Sequence, residues 1–165
     1  MLGKLRDGYT ARRVALLPAL GRLGGERALR VVKEAKDDAD KSVRDAAVRA
    51  ICNWPDATVA DDLFQLARQA DQKSHRIWAL RGLARVLGRQ GKDNPQEAFE
   101  GLRDVMELAT RLEEKELVLS RLTAVRVPGS LELAVSLLDD PDLRLEAINV
   151  TVDLGEGMKA SHPKE

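Results

Sequence analysis

His75 and His162 are the only histidines in this chain and Cys52 its only cysteine, so metal or nucleophilic chemistry has few places to begin. Zinc requires three or four Cys, His or carboxylate ligands brought together by short characteristic spacings, and no such spacing is present. Neither histidine is followed by Glu. A nucleophilic cysteine needs a base and an orienting group beside it, and nothing around Cys52 has that pattern. Its place after Ile51, at the end of an apolar helical segment, suits a small buried residue. His75 reads as a helix-start residue packed against its neighbours. Gly21, Gly24 and Gly25 fit neither a dinucleotide fingerprint nor a phosphate loop, and no strand precedes them, so they read as a helix stop. Asn149-Val150-Thr151 matches a glycosylation sequon but lies inside a predicted helix and is read as chance. These absences predict no catalytic residue, no cofactor and no metal.

The charge balance narrows the partners. Lys and Arg number 27 and so do Asp and Glu, which removes any global attraction to nucleic acid or an anionic membrane. The charge is uneven, however, with a net +5 over residues 1–50, −1 over 51–110 and −4 over 111–165. No stretch reaches the roughly 20 apolar residues of a membrane span. Lys4, Arg6 and Asp7 follow Met1 without an apolar h-region, so no signal peptide is read and the cytoplasm is the default compartment. Hydrophobic residues make up 44% but aromatics only 3%, so small aliphatic side chains must fill the core.

The elements that position these residues repeat. Val43-Arg44-Asp45-Ala46-Ala47-Val48-Arg49-Ala50-Ile51 aligns with Arg12 to Leu20 and with His75 to Leu83, making Arg13, Arg44 and Arg76 equivalent at 31 and 32 residues apart. That period suits a two-helix unit. Weaker copies run from Lys115 to Leu122 and from Leu143 to Val150. A second apolar segment at helical spacing follows each of the first four copies, as in Ala28, Leu29, Val31, Val32 and Ala35. Helix starts are expected at Ser42 with Asp45 as a capping pair, at Asn94-Pro95 with Glu97, and at Asp140-Pro141. Stops are expected at Gly24-Gly25, Gly88 and Gly91. Ala19, Ala50 and Gly82 share one position, where a missing side chain lets a neighbouring helix come close. Arg121 occupies it in the fourth copy. No period-two pattern competes, so the fold is all-α.

The Val43-Arg44-x-Ala46-Ala47-x-x-Ala50-Ile51 pattern after Asp38-Ala39-Asp40 resembles a HEAT repeat of the short bacterial kind, and the resemblance spans nearly the whole chain. It implies a right-handed α-α superhelix, an alpha solenoid, of about four helical hairpins plus a half repeat. The expected repeats are 9–37, 40–71, 74–111 and 113–139, with a half repeat at 141–155 and a tail at 156–165, in a single domain. Neither end carries an obvious polar cap, so the sequence is expected to be a piece of a longer chain. The function implied is a non-catalytic scaffold that presents a concave helical surface to a protein partner or a neighbouring domain. The paired His-Glu motifs of a HEAT-like di-iron hydroxylase are absent. A nucleic-acid-binding module or DNA glycosylase-like enzyme is the alternative; it would need Trp54 or Trp78 exposed in a basic groove near Asp56 or Asp61. The plainer expectation has Trp78 filling the core position of Ala46 and Trp54 packing over the turn before Pro55. A chromophore-lyase subunit shares the fold but finds no supporting residue. Second helices line the concave face of such arrays, so Arg27, Arg30, Lys33, Asp61, Glu100, Asp104 and Glu107 are the candidate partner-binding residues.

Overall fold

The computed structural model describes the backbone of residues 2–161 and the side chains of 8–159; His162 lies outside them. The described residues form nine α-helices and no strand: α1 (Leu2–Leu23), α2 (Glu26–Lys36), α3 (Lys41–Cys52), α4 (Ala60–Gln69), α5 (Lys73–Gln90), α6 (Pro95–Leu108), α7 (Leu112–Leu122), α8 (Pro128–Ser136) and α9 (Arg144–Ser161), with one 3₁₀ turn at Ala57–Val59. They gather into two compact units, 1–82 and 83–165, and α5 contributes to each.

In the first unit α3 is the central helix. Its apolar residues at 43, 46, 47, 50 and 51 recur with the 3.6-residue period and are all buried. Full burial of side chains such as Ile51, Trp54 and Leu63 stabilises the unit by about 1.5–3 kcal/mol each. Both α1 and α2 pack on α3. The approach of α1 is close enough that a Cβ on Gly21 would stand 2.7 Å from the Ala50 carbonyl oxygen and 2.8 Å from its Cα. On α5, a Cβ on Gly82 would stand 2.9 Å from the Cys52 carbonyl oxygen. The small-residue position is thus a backbone contact, and Gly21 belongs to it. Gly21 lies inside α1 and does not stop it; Gly24 and Gly25, at φ 70° and 85°, make the turn.

The repeated arginine fastens the loops. Arg44 Nη1 donates to the carbonyls of Asp38 at 2.6 Å and Ala39 at 2.9 Å. Arg76 Nε donates to Ala67 O at 3.1 Å, and Arg144 Nε, in the second unit, to Leu138 O at 3.0 Å. In each case a helix entering the next hairpin satisfies carbonyls left by the helix or loop before it. Arg13 pairs with the Asp38 carboxylate instead. The hydrogen bond from the Asp40 amide, with the Arg13 guanidinium beside it, holds the Asp38 carboxyl below the usual carboxylate range. Where Lys115 replaces the arginine, the buried carboxylate of Glu114 accepts the Arg111 amide at 3.3 Å.

In the second unit α6 packs on α7, and α9 on both α7 and α8, around Leu102, Val105, Leu119, Leu122, Leu143 and Leu154. Arg121, in the position where earlier copies carry Ala50 and Gly82, is accommodated from the opposite side: a Cβ on Gly88 would stand 3.2 Å from Arg121 Cβ. Gly88 is therefore an interior residue of α5, not its stop; Gly91 follows the helix end. Other boundaries shift for local reasons. The α3 cap is Asp40, whose side chain accepts the Ser42 amide, and not the Ser42–Asp45 pair. α6 begins at Pro95, yet the Asn94 side chain makes no capping bond. Asp140 Oδ1 accepts the amides of Asp142 and Leu143 and builds a turn, delaying α9 to Arg144. α9 continues to Ser161, through the stretch expected to be a tail, and α1 begins at Leu2, ahead of the expected repeat start.

Two alanine substitutions separate the close contact from plain helix propensity. Gly155, inside α9, has nothing within 4 Å of its would-be Cβ, so Gly155→Ala stabilises by about 0.5–1 kcal/mol. Gly21→Ala must displace the backbone of α3 and destabilises by about 1–3 kcal/mol. Urea titration of both variants checks the opposite signs.

Candidate interaction surfaces

On α2, Arg27, Arg30 and Lys33 recur every three residues and are exposed. Lys33 is engaged: its Nζ lies 2.7 Å from Asp62 Oδ2 on α4, while Lys36 Nζ lies 3.5 Å from Asp62 Oδ1. Arg27 and Arg30 form no ion pair among the described residues and leave their guanidinium donors outward. Asp61 is exposed and forms no ion pair among the described residues, so the acid that joins α4 to α2 is its neighbour Asp62, which the repeat pattern does not single out. Asp62 borders the buried stripe of Val59, Leu63 and Ala67, and a carboxylate at such an edge must find a cation as it loses water. That adjacency was the available signal.

On α6, in the second unit, Glu100, Asp104 and Glu107 share one helical face with Glu97. Gln96 Nε2 donates to Glu100 Oε1 at 3.0 Å, and Arg103 Nη2 lies 3.8 Å from Asp104 Oδ1. The structure therefore gathers Arg27, Arg30, Lys33 and Asp61 in one unit and Glu100, Asp104 and Glu107 in the other.

A third constellation lies where α3 meets α5. His75 is buried, with its Nε2 3.2 Å from Asp45 Oδ1. Lys41 Nζ lies 3.7 Å from the other Asp45 oxygen, and Gln72 Nε2 lies 3.5 Å from Oδ1. The His75 ring is 5.3 Å from that of Trp78, whose face carries the Arg49 guanidinium at 4.3 Å. Trp78 is half-buried with Arg49 over its face and does not fill a core position as Ala46 does: the indole at this edge of α5 packs beneath an exposed guanidinium. Trp54 is fully buried, and its indole N–H makes no hydrogen bond among the described residues. With no exposed face, it has nothing to offer a flipped base.

Catalytic groupings are sparse among the described residues. No three His, Cys, Asp or Glu side chains converge as a metal site would require, and Cys52 is buried. An open recess of about 430 Å³ in the second unit is lined by Gly91, Lys92, Pro95, Thr123, Ala124 and Arg126, without a carboxylate or imidazole to act as base. No helix among these residues is long and apolar enough to cross a membrane.

The family model for HEAT repeats matches residues 29–116, more than half of the sequence. The chain belongs to the HEAT-repeat family, an all-α repeat fold of the alpha-solenoid class. Proteins of this family are commonly scaffolds for protein interaction and are typically non-catalytic. No curated protein matches the chain.

The α2–α4 pairing gives a direct contrast between adjacent acids. Asp62→Asn leaves Lys33 and Lys36 without their carboxylate and lowers stability by about 1 kcal/mol, whereas Asp61→Asn changes it by less than about 0.5 kcal/mol. Thermal unfolding of both variants at low ionic strength tests this order.

Proposed function

We propose that this chain is a non-catalytic scaffold for protein–protein interaction, with charged rows on its second helices as the binding determinants. Arg27 and Arg30 carry the reading: two exposed arginines one helical turn apart, with no ion pair among the described residues. Such donors match carboxylates of a partner bidentately. The acidic row of Glu100, Asp104 and Glu107 on α6 offers the opposite sign to a basic segment. The nucleic-acid reading lacks comparable support, since Trp54 is enclosed and one face of Trp78 is occupied.

The test is crosslinking of the tagged chain in lysate of its source cells, followed by mass spectrometry, with two triple reversals. Arg27→Glu/Arg30→Glu/Lys33→Glu or Glu100→Lys/Asp104→Lys/Glu107→Lys should reduce recovery of defined protein partners by roughly tenfold at low salt. Equal recovery with wild type and both variants would overturn the assignment. So would tight duplex-DNA binding with steep salt dependence, the mark of phosphate contacts.

A further inference from the structure

Charge in this chain sorts by helix. The first helices of the first three hairpins, α1, α3 and α5, hold thirteen basic and two acidic residues, although the whole chain is neutral. Within the first unit many of these cations are committed. Arg13, Arg44 and Arg76 hold loops, and Lys41 lies beside Asp45. Arg49 and Arg81 are among those that are not committed. They are equivalent residues of successive repeats, both are exposed, and neither forms an ion pair among the described residues.

Arg49 is held without being neutralised. Its guanidinium lies over Trp78, 4.3 Å from the ring centroid, and the His75–Asp45 pair steadies the base of the same ring through the neighbouring imidazole. A guanidinium held over an aromatic ring gains attraction without giving up its charge, and the contact reduces its side-chain entropy before any ligand arrives. Arg81 stands one turn beyond Trp78 on the same helix, adding a second cation on that side.

We infer that Arg49, Trp78 and Arg81 form a receptor for an acidic segment of a partner protein, with Arg49 prealigned for bidentate capture of a carboxylate. The inference rests on the scaffold reading and adds a second surface, on first helices, with a stated partner chemistry. A protein carboxylate is favoured over a nucleic acid because Arg49 already covers one face of Trp78, leaving less of the ring for a base to stack on, while its own donors suit a carboxylate.

The test is fluorescence anisotropy of a labelled hexaglutamate peptide titrated with the full chain at low salt, with labelled hexalysine and a labelled oligothymidylate as comparisons. Intrinsic fluorescence supplies a second readout, because Trp54 is fully enclosed and Trp78 is the other tryptophan of the two. Hexaglutamate should bind saturably and alter Trp78 emission. Arg49→Gln/Arg81→Gln should weaken it at least about tenfold. Arg12→Gln/Arg22→Gln, which removes the same amount of charge from exposed positions of α1, should leave it within about twofold, so that the loss in the first double variant is specific to Arg49 and Arg81 and does not follow from net charge. Trp78→Leu, with folding checked by circular dichroism, should weaken binding while both arginines remain. The proposal is overturned by absent saturable hexaglutamate binding, by unchanged affinity in the arginine double variant, or by tighter binding of the oligothymidylate. If Trp78→Leu does not fold, the arginine double variant alone decides.

Discussion

Backbone carbonyls stranded between hairpins are the polar groups this fold must satisfy, and an arginine at the start of the following helix does so. A helix leaves its last carbonyls without intrahelical partners, and a chain that turns at once into another helix offers them little else. Arg44, Arg76 and Arg144 reach back across such turns. Each ties the direction of one hairpin to the end of the previous one, so the stacking geometry is carried by a few charge-assisted hydrogen bonds as well as by apolar burial.

The same economy explains why the chain manages with few aromatics. Helix backbones meet at Gly21 against Ala50 and at Gly82 against Cys52, so the spaces between first helices are small enough for Ala and Val to fill. Where the fourth copy breaks the rule with Arg121, Gly88 on α5 supplies the missing room. Small residues are thus placed by contact pairs, and either partner can carry them.

Much of this was legible in the sequence, and the failures have physical causes. The 31- and 32-residue spacing of Arg13, Arg44 and Arg76 identified the helical pairs, because a two-helix unit must repeat its buried stripe. The role of those arginines was not legible, since the carbonyls they bind are backbone groups that no residue type announces. Gly21 and Gly88 were misread as stops because a glycine at a helix crossing and a glycine after a helix look alike without the neighbouring helix. Among surface residues the pattern placed Arg27, Arg30 and Lys33 together on α2, but chose Asp61 over Asp62, and adjacent acids differ only in which edge of the stripe they face. The role of Arg49 is not legible in the sequence because its environment is made by Trp78, 29 positions later in the chain.

One division organises these residues: repeated arginines that fasten loops, and others, such as Arg49, that are presented outward. Hydrogen exchange on wild type, Arg44→Gln and Arg49→Gln separates the two most directly. Faster exchange confined to the loop and first turn around residues 37–45 in Arg44→Gln, with Arg49→Gln matching wild type, is the predicted result. Equal protection in all three proteins would contradict the fastening role of Arg44.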